Sequence, residues 1–102
     1  MPRESSVSIL KWGDDTFGPV SDPTALVRRA QLEMDELLEA LDANDNDEAG
    51  REAADVTILL HRLMGLLGKD LAKEVDTKMM INRTRRWTSS GDGTGGHIKK
   101  DT

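Results

Sequence analysis

The sequence predicts an all-α fold: an antiparallel bundle of three main helices completed by oligomerisation. Three observations predict it. Apolar residues recur at helical spacing through two long segments. Start and stop residues bracket each of these segments. Strand-like alternation is nearly absent, since Val7–Leu10 offers one short candidate and a lone strand has no partner.

Taken in order, residues 1–21 read as an irregular N-terminal segment, punctuated by Gly13, Gly18 and Pro19. Ser21 or Asp22 ahead of Pro23 signals a helix start, with proline suited to the first helical position. The first helix then runs to about Ala43 on a stripe of Leu26, Ala30, Leu37 and Leu41, widened by Val27, Met34 and Leu38. Asn44-Asp45-Asn46-Asp47 breaks it and caps the next. The second helix runs from about Asp47 to Leu67, with Ala49, Ala53, Val56, Leu60, Leu63 and Leu67 at spacings of four and three, and Gly68 ends it. The third spans about Lys69 to Arg86. The whole chain is one domain: an irregular 1–21, a helical core over 22–87, and a Gly-rich basic tail over 88–102, mobile unless it docks.

Composition narrows the function classes. Only 36% of the 102 residues are hydrophobic, so one chain buries a modest core and association would help it. Ile58, Met80 and Ile81 lie off the main stripes and add apolar surface to cover, which predicts a homo-oligomer. Cysteine is absent, no N-terminal apolar run resembles a signal peptide, and His61 and Arg62 interrupt the longest apolar stretch. The expectation is a cytoplasmic protein with no membrane partner. Residues 1–77 carry 8 basic and 17 acidic side chains, whereas residues 78–102 carry 6 and 2. An acidic body argues against nucleic acid as a partner. It suits a small polyanion held by metal on one side and by Lys/Arg on the other.

The chemistry concentrates in two carboxylate pairs, Glu33/Glu36 and Glu52/Asp55, on successive helices. Residues three apart share a helix face, so each pair is a two-pronged oxygen ligand. On a wheel at about 100° per residue both pairs sit at the edge of an apolar stripe with the same offset, so antiparallel packing lets them meet across a groove. Four converging carboxylates repel unless a cation lies between them, and a hard divalent ion such as Mg²⁺ fits, with Mn²⁺ as its substitute. Asp35, Glu39 and Asp42 fall on the opposite side as a solvated face.

The third helix carries a stripe that changes character: Leu71, Val75, Lys78, Asn82, Arg85. Its cationic end with an amide donor is what a phosphate chain needs for charge and directed hydrogen bonds. Trp12, Phe17 and Trp87 supply the aromatic surface on which a base could stack.

These motifs together resemble the MazG-like, all-α nucleoside triphosphate pyrophosphatases. The family pattern is ExxE on one helix, ExxD on the next and K-x-x-x-N-x-x-R-x-W on a third. The matching residues are Glu33/Glu36, Glu52/Asp55, and Lys78 through Asn82 and Arg85 to Trp87, within a resemblance covering about residues 24–97. A clear leading helix is missing from the N-terminal segment. The resemblance implies Mg-dependent hydrolysis of a (d)NTP to the monophosphate and pyrophosphate. The four carboxylates would hold metal, one of them would serve as general base, and Lys78, Asn82 and Arg85 would hold phosphates. It also implies dimers or tetramers with sites near subunit boundaries.

Two other readings stand beside it. Glu52/Asp55 followed by His61 resembles phosphoribosyl-ATP pyrophosphatase, while Asn82-x-x-Arg85-x-Trp87 favours the MazG-like branch; the dimeric dUTPases share the acidic logic in longer chains. From a different class, the chain could be a non-catalytic helical oligomerisation module. His61 itself lies roughly opposite the acidic pair and reads as a surface or subunit-contact residue. Gly91–Gly96 matches G-x-G-x-x-G but lacks the preceding strand and following helix of a dinucleotide loop.

Overall fold

A computed structural model describes residues 3–98. Four α-helices follow one another: α1 (Ser6–Phe17), α2 (Thr24–Asp42), α3 (Asn46–Leu66) and α4 (Leu71–Thr84). A small antiparallel hairpin of β1 (Trp87–Ser89) and β2 (Gly95–His97) closes the described chain. The last three helices lie where the caps and stripes put them. The first is a correction, because the segment expected to be irregular is helical over Ser6–Phe17, Val7–Leu10 included. Its N-terminus is a capping box in which Ser5 and Ser8 each bond the other's backbone amide.

The tail is the second correction. Residues 88–98 form most of the hairpin, with Thr88 opposite Gly96, and Asp92 shapes the turn by accepting from Thr94 N and Oγ1. The rest of the expected tail, 99–102, lies outside the described residues.

The α2–α3 pair is the spine, and α1 packs on α3. Asp45 accepts Glu48 N–H at 3.0 Å and so caps α3, while Asn44 takes a left-handed φ of 56° to turn the chain between the helices. The buried apolar side chains are few: Ile9, Leu26, Ala30 and Ala40. Val27, Met34, Leu38 and Leu41, expected in the first helix's stripe, are exposed. The buried face of α2 is rotated from the expected one and follows Leu26, Ala30, Glu33, Leu37 and Ala40. Ala30 and Ala40 in that stripe let α3 come close, and the rotation carries Glu33 into the groove.

Close approach also fixes α1. A Cβ on Gly65 of α3 would stand 2.6 Å from Ser6 O and 2.8 Å from Leu10 Cβ. Gly65→Ala should therefore push α1 off α3 and cost about 1–3 kcal/mol. Gly50, helical with nothing within 4 Å of its would-be Cβ, should gain roughly 0.5–1 kcal/mol from the same substitution. Urea midpoints that move in opposite directions check the pair; a shared direction would contradict the packing account.

A polar junction joins α1, α3 and α4. Ser6, fully buried, gives its N–H to Asp70 Oδ1 at 3.1 Å, and Asp70 also caps α4 by accepting Lys73 N–H at 3.3 Å. Ser6 Oγ accepts Leu71 N–H at 2.8 Å and lies 2.9 Å from His61 Nδ1. His61, expected as a surface or subunit-contact residue, is half-buried at this junction. These bonds hold the Asp70 carboxyl below the usual carboxylate range, the Ser6 amide foremost.

Candidate active site

The groove between α2 and α3 has an ordered lining. Along α2 it runs Leu26, Arg29, Glu33, Glu36, Ala40; along α3, in the reverse chain direction, it runs Arg62, Leu59, Asp55, Glu52, Glu48. Spacings of three and four keep each set on one face. Leu26 and Leu59 make one end of the groove apolar, and carboxylates fill the other.

Glu33, Glu36 and Glu52 each bring a carboxylate oxygen within 4.8 Å of the other two. Glu52 is the deepest, only 8% exposed, and its Oε2 is buried with no donor in reach. An ionised carboxylate only accepts, so this oxygen is satisfied either by a proton shared with its neighbours or by a cation. In the protein alone the proton prevails. Sharing with Glu48, burial, and contact with Glu36 and Glu33 push the Glu52 carboxyl up to about 8. Glu33 is raised as well, chiefly through Glu36, with the charge of Asp55 contributing. Crowded carboxylates and an orphaned buried oxygen fit a divalent cation well.

The fourth expected ligand, Asp55, is exposed and stands outside the tight trio, within electrostatic reach of Glu33. A fifth acid, Glu48, joins the cluster and was not singled out from sequence. Its signal was present: Glu48, Glu52 and Asp55 follow i, i+4, i+7 on one face. Arg51 bonds Glu48 at 2.8 Å and holds its carboxyl below the usual range. Arg29 Nε stands 3.7 Å from Glu33 Oε1. A cleft of about 410 Å³ opens beside the cluster, lined by Glu36, Glu48 and Glu52, and also by the exposed Glu39.

The expected phosphate grip lies elsewhere in the chain. Lys78, Asn82 and Arg85 belong to α4 and its end, and α4 packs chiefly on α3. Among the described residues no groove carboxylate forms an ion pair with Lys78 or Arg85. The helix stops at Thr84, short of the expected Arg86, so Arg85 is an extended capping residue that has left the wheel. Asn82 Oδ1 is buried without a donor. Trp87 opens the hairpin, gives its indole N–H to Asn82 O at 2.9 Å and tilts against His97. Trp12 stands on α1, half-exposed, edge-on to Phe17 at 5.6 Å, and lines a separate hollow with Ile9 and Ile58. The single chain therefore assembles the carboxylates but does not bring the cationic stripe or either tryptophan to them.

Comparisons with known proteins show the family of this chain. The family model for dATP/dGTP pyrophosphohydrolase matches residues 7–102. A dATP/dGTP diphosphohydrolase of Salmonella phage PMBT28 is 39% identical over 90 residues, 88% of this chain; the chain spans 29% of that protein's length. A dATP/dGTP diphosphohydrolase of cyanophage S-2L is 34% identical over 82 residues, covering 80% of this chain and 74% of that protein. Among solved structures, the cyanophage S-2L MazG-like pyrophosphohydrolase, bound to dGDP and three catalytic Mn²⁺ ions per active site, superposes with a TM-score of 0.70. That match has 29% identity and covers 94% of this chain and 91% of the other. A family model spanning nearly the whole chain, on the fold and acidic cluster just described, places this protein in the dATP/dGTP pyrophosphohydrolase family of MazG-like proteins.

Proposed function

We propose that this chain hydrolyses purine deoxynucleoside triphosphates, dGTP and dATP, to the monophosphate and pyrophosphate, using Mg²⁺ or Mn²⁺. The observation that carries the reading is the carboxylate trio within 4.8 Å around an orphaned, buried Glu52 oxygen. Acids merely decorating a helical module would cost stability there for no return. Glu33, Glu36, Glu52 and Asp55 hold the ions, and Glu48, steadied by Arg51, stands beside Glu52. The bound ions neutralise the triphosphate and lower the pKa of a coordinated water. The chain's own part is to aim that centre at the α-phosphorus and to accept the water's proton on a carboxylate not fully engaged by metal.

The phosphate-gripping residues Lys78, Asn82 and Arg85 come from α4 of a second copy in this reading. Two features support it: α4 projects from its own groove, and the exposed apolar row Val27, Met34, Leu38 and Leu41 on α2 needs cover. The working enzyme is then a homo-oligomer, a dimer or tetramer, with free nucleotide as substrate rather than nucleic acid, acting in the cytoplasm. Among the described residues no helix is long and apolar enough to cross a membrane. The phosphoribosyl-ATP alternative loses its local support, because His61 is engaged by Ser6 at the polar junction.

A screen of the four dNTPs and four NTPs with Mg²⁺ and with Mn²⁺, detecting pyrophosphate and orthophosphate separately, tests the proposal. The expected product is pyrophosphate, released fastest from dGTP and dATP. Orthophosphate alone, or no turnover with either metal, would refute it.

A further inference from the structure

α4 closes on Arg85, which is extended at φ −90° and ψ 158°, in place of the left-handed glycine that commonly ends a helix. The last turn of a helix leaves carbonyl oxygens without an intrahelical donor. One of these, Asn82 O, receives two donors here: the Arg85 N–H at 3.2 Å and the Trp87 indole N–H at 2.9 Å. We propose that Trp87 is a positioning residue, its indole N–H capping α4 so that the Arg85 guanidinium is aimed at the phosphate chain, an inference that rests on the proposed function.

Backbone geometry is the first argument. Arg85 has left the helix, so the helix no longer sets the direction of its side chain. The chain around it is pinned on both sides instead. Its own N–H and the indole two residues later converge on one oxygen, and Ile98 N–H reaches Arg86 O at 2.9 Å. Arg85 is half-buried, whereas its neighbours Arg83 and Arg86 are exposed. A guanidinium whose backbone is already fixed loses less freedom when it binds an anion.

The hairpin is the second. A two-stranded ribbon is marginal alone, and β1 and β2 carry no buried residue. They add no core; they place Trp87. The register sets Trp87 opposite His97, with ring centroids 5.6 Å apart and planes tilted by 56°. Ser90 N–H on Thr94 O at 2.7 Å and the Asp92 turn fix that register. The indole is thus backed by a second ring and bonded through its N–H, which is the arrangement of a cap. In this role the donor matters, whereas stacking on a base would use the ring face.

The test asks whether the N–H acts, and whether it acts through Arg85. By NMR of isotope-labelled protein, the Trp87 indole N–H should exchange with deuterium more slowly than that of the half-exposed Trp12. Trp87→Phe keeps a ring and removes the donor. In calorimetry with Mg²⁺ it should weaken the binding of inorganic pyrophosphate by about 2- to 12-fold, the value of one hydrogen bond. With Arg85→Ala already in place the same change should cost less than about twofold, because the indole works through that residue. With Lys78→Ala, nine residues before Trp87, it should cost the whole amount. Equal exchange of the two indoles, no saturable pyrophosphate binding, full affinity in Trp87→Phe, or an undiminished loss beside Arg85→Ala would each overturn the assignment. Pyrophosphate binding in the expected pattern by a protein that releases none from dGTP would retain the cap and refute the hydrolysis. Hydrolysis of dGTP with a pyrophosphate affinity indifferent to position 87 would do the reverse.

Discussion

Glu52→Gln should abolish most turnover while leaving the fold intact, and should make the metal-free protein more stable at alkaline pH than the natural sequence. The activity loss follows from the site's chemistry. Removing groups that only support metal ligands costs about 10–100-fold, and removing a central ligand costs more. The stability effect follows from the proton on Glu52. Its folded pKa of about 8 lies above the ordinary 4.5, so between those values the folded protein keeps a proton that the unfolded chain has released. Stability from this group is complete below pH 4.5, falls as pH rises, and is lost above about 8. Glutamine removes the titration. Asp70, outside the cluster, contributes to both proteins and cancels in the difference, which reports Glu52 together with Glu33 and Glu48, the neighbours bonded to it. Thermal melts at pH 5 and pH 9 in EDTA should show the variant gaining on the natural protein as pH rises. Added Mn²⁺ should reverse the order by mass action. Near-normal turnover in the variant, or a difference that does not vary with pH, would remove Glu52 from the centre of the site.

Lys78→Ala and Arg85→Ala should each lower kcat/KM for dGTP by about 10- to 150-fold at saturating metal, the value of one lost charge-assisted contact. Arg83→Ala, one residue from the stripe on the exposed end of α4, should change it little. The assignment of α4 to a second copy's groove adds a sharper outcome. Mixing Glu52→Gln with Arg85→Ala subunits should restore activity to about a quarter of the natural value in a dimer, since half the dimers are mixed and each has one intact site of two. Failure to complement, with both parents impaired, would place carboxylates and cations in the same chain. Equal losses at 78, 83 and 85 would mean that only general positive charge matters.

Helix existence was legible where cap and stripe agreed. Pro23 and Asp45 stand at the starts of α2 and α3, and the acidic pairs could be placed from periodicity alone, whereas Asp70, the cap of α4, was not singled out. α1 escaped because its capping box uses Ser8 where the usual signal is Glu or Gln, and because Gly13 reads as punctuation. That glycine is required by Arg62, a contact made 49 residues later in the chain and invisible locally. The hairpin escaped because Gly95 and Gly96 lack strand propensity; its register comes from the Asp92 turn. Glu48 escaped because a search for acids three apart stops at Glu52, whereas the groove accepts the residue four before it. The burial of Glu33 was only half legible, since Leu38 and Leu41 drew the expected stripe away from the side that Ala30 and Ala40 open.

The union of Ser6, His61 and Asp70 makes α4 a lever arm. Its fulcrum is a set of hydrogen bonds near 3 Å rather than a broad apolar bed. Fourteen residues at 1.5 Å each make the arm about 21 Å long, so a tilt of about 5° at the fulcrum sweeps the far end by about 2 Å. Displacements of about 1 Å can cost a hundredfold in rate where geometry decides the chemistry. If α4 carries the proposed phosphate grip, side chains that meet no nucleotide set the aim of Asn82 and Arg85. Under that proposal, substitutions at positions 6, 61 and 70 should change the catalytic rate from a full helix away.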